Sequence, residues 1–532
     1  MSQPSQSSSS IKVPLKLPND PKLVPNFWAI FMKGFLIITC LVASISLISF
    51  IPHFSNSNAY SAAPVRNYRE KYVVKEEEEE EEETNISHIL FGLAGSAKTW
   101  NNRSHYSELW WRPNVTRGFV WLDENPQENE PWPDTFPPYR ISQDTSTFKY
   151  TCWFGERSVV RIARIVKESF EVGLNNLRWF VMGDDDTFFF TENLVTVLAK
   201  YDHNQMYYIG GSSYSVDLDV LFSNGIGCGG GGFAISYPLV AELVKILDGC
   251  INRYHYLFGS DQRIAACVAE IGVPLTNELG FHQMDIQGSA RGFFASHPVA
   301  PLVSLHHLNI VDPLIPLMSQ VESMKKVIKA YNKDPSRTMQ HSLCYDLKRN
   351  WSLSVSWGYS VQLYPWLIFT RELITPMQTF KTLRGMDGPF TFNTRPNYLE
   401  PCKMPLEYYL DQVTHIGNGE TLTSYNRINV DSNYKQCENQ RYKSVLAVDK
   451  VKVTAPILSP QVWRQAPRRQ CCEVIDDKDD SFIHIRIRGC NKWESVTPPF
   501  YDKYGEFAYF QMGFQPLNWT RSLQSMISGK RK

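Results

Sequence analysis

The 532-residue chain carries no net charge, because 54 Lys and Arg are balanced by 54 Asp and Glu. That balance excludes a dedicated nucleic-acid binder, which needs a basic face to meet phosphates. Its 11 cysteines include no C-x-x-C pair, so the paired spacing of a structural zinc site is missing. The glycine run Gly229 to Gly232 is not followed by Lys-Ser or Lys-Thr, which removes a phosphate-binding P-loop. No internal repeat runs through the chain. Charged residues are scarce, 20% against 43% hydrophobic. This is enough apolar material for a sizeable core, and more chain than one ordinary domain uses.

What is present starts with one apolar stretch. Gly34 to Ile51 is 18 residues without a charge, and with flanking Phe27 to Met32 it reaches the roughly 20 residues a bilayer span needs. Lys12, Lys16, Lys22 and Lys33 precede it, whereas Arg66, Arg69, Lys71 and Lys75 lie further off on the far side. The positive-inside rule then puts the N-terminus in the cytosol and the remainder in the lumen. A cleaved signal peptide is the competing reading, but 33 preceding residues are long for one. Five N-glycosylation sequons, at Asn85, Asn102, Asn114, Asn350 and Asn518, all follow the span, as do ten of the cysteines. An even number of lumenal cysteines fits disulfides in an oxidising compartment.

The expected organisation is a cytosolic tail over 1–33, a signal-anchor over 34–51 and a lumenal stem over 52–87 that ends in the glutamate run Glu76 to Glu83. Such a run repels itself and stays solvated. From residue 88 short apolar runs alternate with helical spacing. Ile89 to Leu93, Thr116 to Leu122, Arg178 to Met182 and Met206 to Ile209 read as strands. Val159 to Phe170, Glu192 to Lys200, Leu239 to Leu247 and Gln262 to Ile271 read as helices. That alternation predicts an α/β domain over 88–318 with a mostly parallel sheet. After one amphipathic helix at Gln320 to Tyr331, strand patterns dominate. Leu353 to Leu363 alternates with period two over eleven residues, and Ile483, Ile485 and Ile487 alternate with polar neighbours. Residues 319–532 therefore read as a β-rich region. Its six cysteines, Cys344, Cys402, Cys437, Cys471, Cys472 and Cys490, allow 15 pairings. The adjacent pair Cys471 and Cys472 is expected to bond to distant partners. The acidic cluster Asp476, Asp477, Asp479 and Asp480 reads as a solvated turn.

The chemistry concentrates after the strand that ends in Phe180-Val181-Met182-Gly183. Asp184, Asp185 and Asp186 follow directly, with Phe188 to Phe190 beyond. Three adjacent anions between apolar flanks need a counter-charge, and a hard divalent cation held by oxygen ligands supplies one. The carboxyl end of a parallel strand is also where open α/β sheets place ligands. Asn224 to Ser236 is glycine-rich and leads into a strand. Asp261 opens a helix, where Asp also serves as a cap. The apolar run Leu302 to Leu305 ends in His306 and His307, which alternate across a strand so that only one can join a metal shell. Asp312 is near enough in sequence to orient it.

These segments, over residues 88 to 312, resemble the fringe and β-1,3-galactosyltransferase family, and the C-terminal region resembles that of its plant fringe-related members. The resemblance implies a GT-A fold and inverting sugar transfer from a UDP-sugar to a glycan or glycoprotein hydroxyl. It implies a divalent metal, manganese in character, held by Asp184, Asp186 and one of His306 and His307. Asp185, Arg103, Gly230 and Gly231 would meet the nucleotide, with Ser96 and Lys98 in the same loop as Arg103. Asp261 would be the catalytic base, although Ser260 stands where the family usually carries a second acid. The implied setting is the Golgi membrane, in a single-pass type II protein. The competing class is a membrane-anchored lectin or scaffold on an inactive transferase fold.

Overall fold

The computed structural model describes residues 82–127, 131–222, 225–397, 402–428, 437–475 and 481–497. The expected span 34–51, the glutamates Glu76 to Glu81, the cluster Asp476 to Asp480 and the sequon at Asn518 lie outside these residues. Among the described residues no helix is long and apolar enough to cross a membrane.

The first half is built on a seven-stranded sheet. Its strands are β1 (Ile89–Ala94), β2 (Arg117–Leu122), β3 (Tyr139–Ile141), β4 (Trp179–Asp184), β6 (Tyr208–Gly210), β7 (Phe233–Ser236) and β8 (Leu275–Asn277), in the order β3-β2-β1-β4-β7-β6-β8. β1 pairs in parallel with both β2 and β4, while β7 runs antiparallel to β4 and β6. The sheet is therefore mixed, and its parallel half holds the strand ends of interest. β1 is buried along its whole length, as a central strand covered on both faces must be. Leu90 and Ala94 face one layer, in which the helices Ser158–Glu171, Tyr237–Arg253 and Ser260–Ile271 pack. Ile89, Phe91 and Leu93 face the other, following the two-residue period of a strand.

A short sheet of β5 (Phe188–Phe189), β9 (Phe281–His282) and β11 (Ser304–Leu305), together with a ladder of β10 (Ile286–Gly288) and β15 (Phe380–Thr382), extends that second layer. The layer continues without a break into the C-terminal region. Met324 and Val327 of the helix Gln320–Tyr331, and Tyr359 and Tyr409 beyond it, belong to the same apolar cluster as Phe91.

The C-terminal strands close into a barrel. They are β12 (His341–Asp346), β13 (Trp351–Ser356), β14 (Ser360–Tyr364), β16 (Leu406–Gly417), β17 (Glu420–Arg427), β18 (Lys450–Pro456), β19 (Cys471–Ile475) and β20 (Phe482–Arg488), closed by β19 lying against β12. The eleven-residue alternation from Leu353 is not one strand but a hairpin. Gly358, at φ +75°, reverses the chain between β13 and β14, a conformation that glycine adopts without a side-chain clash. Nor do its serines face water. Ser356 donates to the Phe294 carbonyl at 2.8 Å and Ser352 accepts the Ile368 amide at 2.9 Å. The polar face of the hairpin is thus buried against chain on the outside of the barrel. In β20 the alternation holds, with Ile483, Ile485 and Ile487 inside.

Disulfides join Cys250 to Cys267, Cys344 to Cys472, Cys402 to Cys437 and Cys471 to Cys490. The adjacent cysteines do take distant partners. Cys152 and Cys228 are buried and unpaired.

Candidate functional site

Because β1 and β4 are parallel and in register at Ala94 and Asp184, the loop after β1 and the Asp triplet emerge side by side at the carboxyl edge of the sheet. Asp184 is the last residue of β4 and is partly exposed, while Asp185 and Asp186 turn inward and are almost wholly buried. A threonine with no distinguishing sequence pattern ties the turn together. Thr187 accepts the Asp184 amide at 2.8 Å and donates to the Gly230 carbonyl at 2.7 Å. Its own carbonyl accepts the Trp110 indole at 3.0 Å.

His306 lies directly after β11 and brings its Nε2 within 3.1 Å of Asp186 Oδ1 and 3.7 Å of Asp184 Oδ2. Ligand atoms of Asp184, Asp186 and His306 all fall within 4.8 Å of one another. His307 is elsewhere. Its backbone is left-handed, at φ +58°, and its Nδ1 faces Asp285 Oδ1 at 3.3 Å, with its ring against that of His306. Asp285, rather than Asp312, is therefore the carboxylate beside the pair. Of the two histidines only His306 approaches the aspartates.

Arg103 sits on a helix, Ala97–Glu108, rather than in an open loop. It reaches 82 residues along the chain to donate to Asp185 Oδ1 at 2.9 Å and lies 3.7 Å from Asp186 Oδ2. Asp185 is thus held by an arginine. Ser96 donates to Asp123 at 2.9 Å, and Asp123 also accepts the Ala97 amide, fixing the start of this helix, in whose first turn exposed Lys98 lies.

The glycine segment packs between these parts. A Cβ on Gly230 would lie 2.0 Å from Cε1 of the His306 ring, closer than real Cβ contacts come. The Gly231 amide donates to Gln283 at 2.5 Å, and its carbonyl accepts Ser304. Gly230 is placed by packing against His306, and Gly231 by packing against Gln283. The Gly229 amide points at Asp261 Oδ2, 3.4 Å away, and the Gln262 amide donates to Asp261 Oδ1 at 2.8 Å. Gly259, not Asp261, occupies the N-cap of this helix. Asp184, Asp261, Gly229 and Ser260 line one cleft.

The charges explain each other. Partial removal from water, reinforced by Asp186, Asp185 and Asp261, raises the Asp184 carboxyl above the ordinary range. Burial pushes Asp185 up to about 6, against the pull of Arg103. Burial acts upward on Asp186 too, but His306 and Arg103 outweigh it and bring it to about 2. Burial raises Asp261 and lowers His306. Asp186 Oδ1 and His306 Nε2, although 3.1 Å apart, are not aligned as a hydrogen bond, and Asp186 Oδ1 and His306 Nδ1 are buried without one. Buried polar atoms normally have partners. Carboxylate oxygens and an imidazole nitrogen that converge without bonding one another fit a divalent cation of the manganese or zinc kind.

Beside the helix that carries Asp261 stands an exposed aromatic ledge. Trp153 is 91% exposed and Phe154 59%. Phe154 stacks on Phe258 with centroids 5.5 Å apart, and Trp153 stands edge-on to Phe154.

Comparison with known proteins adds limited information. No curated protein matches the chain. A solved structure, the crystal structure of a glycosyltransferase involved in the glycosylation of the major capsid of PBCV-1, aligns with 44% of this chain and 97% of its own at 12% identity. Its TM-score of 0.25 is too low for the likeness to bear on fold or function. Residues 218–472, which include the glycine segment, Asp261, His306 and most of the barrel but not the Asp triplet, match the family described as "Protein of unknown function, DUF604".

Proposed function

We propose that this protein is a metal-dependent glycosyltransferase that moves a sugar from a UDP-sugar to an acceptor hydroxyl with inversion. The observation that carries the reading is the convergence of Asp184, Asp186 and His306 at the carboxyl edge of the sheet, where Asp184 also lines one cleft with Asp261. A divalent ion held by those three ligands would neutralise the diphosphate of the donor. Arg103 positions Asp185 and adds positive charge at the same edge. Asp261 takes the proton of the attacking hydroxyl at Oδ2, its freer oxygen, since Oδ1 already accepts a short hydrogen bond. Its raised pKa suits a base working near neutrality. The aromatic ledge gives the acceptor glycan an apolar face to stack on, since aromatic rings suit the C–H faces of sugars.

The setting follows the same reading. Four disulfides fit an oxidising compartment, and the sequons at Asn102, Asn114 and Asn350 are exposed. With the apolar stretch 34–51 as anchor, this is a lumenal enzyme of the Golgi membrane. The second reading, a lectin or scaffold, is favoured by one observation: both oxygens of Asp261 already meet backbone amides. Manganese-dependent UDP binding, followed by turnover of a UDP-sugar by the full-length protein, tests the choice. Binding with no turnover of any donor supports the scaffold, and no binding at all removes the transferase.

A further inference from the structure

A second polar pocket lies away from the Asp triplet, where the start of β12 meets the segment that leads into β19. It is small and partly enclosed, with a cavity volume of about 30 Å³ that opens to solvent. His341, Trp463, Arg468, Arg469 and Gln470 are among its lining residues, and none of the lining residues is acidic.

Several of its donors are unused, although Arg468 donates to the Asn491 and Glu494 carbonyls. Arg469 makes one hydrogen bond, to the His341 carbonyl at 2.6 Å, and no carboxylate pairs with it among the described residues. Trp463 is 5% exposed and His341 3%. The Trp463 indole nitrogen and His341 Nδ1 are both buried without a partner. The Ser354 hydroxyl sits 2.7 Å from His341 Nε2 and donates to the Ala295 carbonyl. Gln470 gives its oxygen to Arg337, which leaves its amide nitrogen without a described partner. Buried donors of this kind are costly unless something accepts from them.

The surroundings are positive and rigid. Burial and the nearby Arg469, Arg395 and His297 hold His341 well below the ordinary imidazole range, and burial lowers Arg469 to about 10. The His341 shift reports neighbouring cations, and the Arg469 shift reports a guanidinium removed from water. Two disulfides anchor the strand immediately after Arg469, through Cys471 and Cys472. Preorganised donors bind with a smaller ordering cost.

We propose that this pocket binds a compact oxyanion, held by the Arg469 guanidinium and the Trp463 N–H group. Two sources share that chemistry. One is a charged substituent of a saccharide, such as a uronate carboxylate. The other is free inorganic phosphate or sulfate. The site stands independently of the sugar-transfer reading.

The test is calorimetric titration of the full-length protein with sodium glucuronate, phosphate and sulfate, with glucose and sodium chloride as controls. Saturable binding of at least one oxyanion is expected, with none for glucose or chloride. Stronger binding of glucuronate assigns the site to a glycan, and stronger binding of phosphate or sulfate assigns it to the free ion. Arg469→Gln should weaken binding roughly 10- to 100-fold, the worth of a hydrogen bond to a charged group. Trp463→Phe keeps the ring and removes only the N–H, so it serves if the arginine variant fails to fold, and it should weaken binding several-fold. No saturable binding by any oxyanion, or wild-type affinity in Trp463→Phe together with wild-type affinity in a folded Arg469→Gln, overturns the proposal.

Discussion

Replacing Gly230 with alanine tests the metal centre through a residue that would not itself touch the ion. The new Cβ would overlap the His306 ring at Cε1, Nδ1 and Nε2 together. Restoring ordinary contact, about 3.5–4.0 Å between carbons, from the 2.0 Å between the new Cβ and Cε1 requires the ring to retreat by roughly 1.5–2 Å. Metal–ligand distances tolerate only about ±0.2 Å, so His306 leaves the site that Asp184 and Asp186 define. Loss of supporting contacts around metal ligands already costs about 10- to 100-fold in affinity, and displacing a ligand should cost at least as much. Overpacking costs about 1–3 kcal/mol, so the variant should still fold, with a melting temperature lower by a few degrees. Gly229→Ala is the control, because its Cβ would meet only the Cβ of Asp261, at an ordinary 3.8 Å. Manganese titration by calorimetry, with near-ultraviolet circular dichroism as the fold check, should show affinity lost in Gly230→Ala and kept in Gly229→Ala. Equal affinity in wild type and Gly230→Ala, or equal loss in both variants, would refute the assignment of His306.

Further outcomes follow from the same geometry. Asp184→Asn combined with Asp186→Asn should abolish manganese-dependent UDP binding while leaving the circular dichroism unchanged, because Asn keeps the size and removes the charge. Asp261→Asn should keep UDP-sugar affinity and lose transfer by about 10²- to 10⁴-fold; full turnover would remove Asp261 from the reaction. Trp153→Ala should raise the acceptor KM and leave UDP affinity alone, and an unchanged KM would take the ledge out of acceptor binding. Metal-free protein should lose stability as pH rises from about 4 to 6. Asp185 has a folded pKa of about 6, above the roughly 3.9 of an unfolded chain, so its contribution is present below the lower value and gone above the upper one. Melting temperatures across pH 4 to 8 should fall less steeply in Asp185→Asn.

Much of the site was legible because its chemistry is concentrated. Three aspartates against a Trp-Phe-Val-Met strand stand out in any hydropathy reading, and glycines and histidines mark close approaches. The choice between His306 and His307 was not legible, since it rests on a single left-handed residue that swings His307 to Asp285. Arg103 looked like a loop residue because Ala97 to Glu108 is mostly polar and shows no apolar helical stripe. The helices of the α/β half were readable from their 3.6-residue spacing. The hairpin at Gly358 was not, because side-chain parity carries across its three-residue turn and mimics one long strand. Barrel closure depends on β12 meeting β19, a pairing 128 residues apart at its disulfide, and no local pattern encodes it.

The adjacent cysteines of β19 act as a register lock. Cys472 faces the barrel interior with Val474 and bonds to Cys344, whereas Cys471 faces outward and bonds to Cys490. Exchanging the two partners would slide the strand by one residue, and a one-residue slip turns every side chain to the opposite face. Glu473 would then enter the apolar interior and Val474 would leave it. A mispaired chain therefore exposes its own error to proofreading by thiol exchange, since the wrong isomer buries a carboxylate and the right one does not.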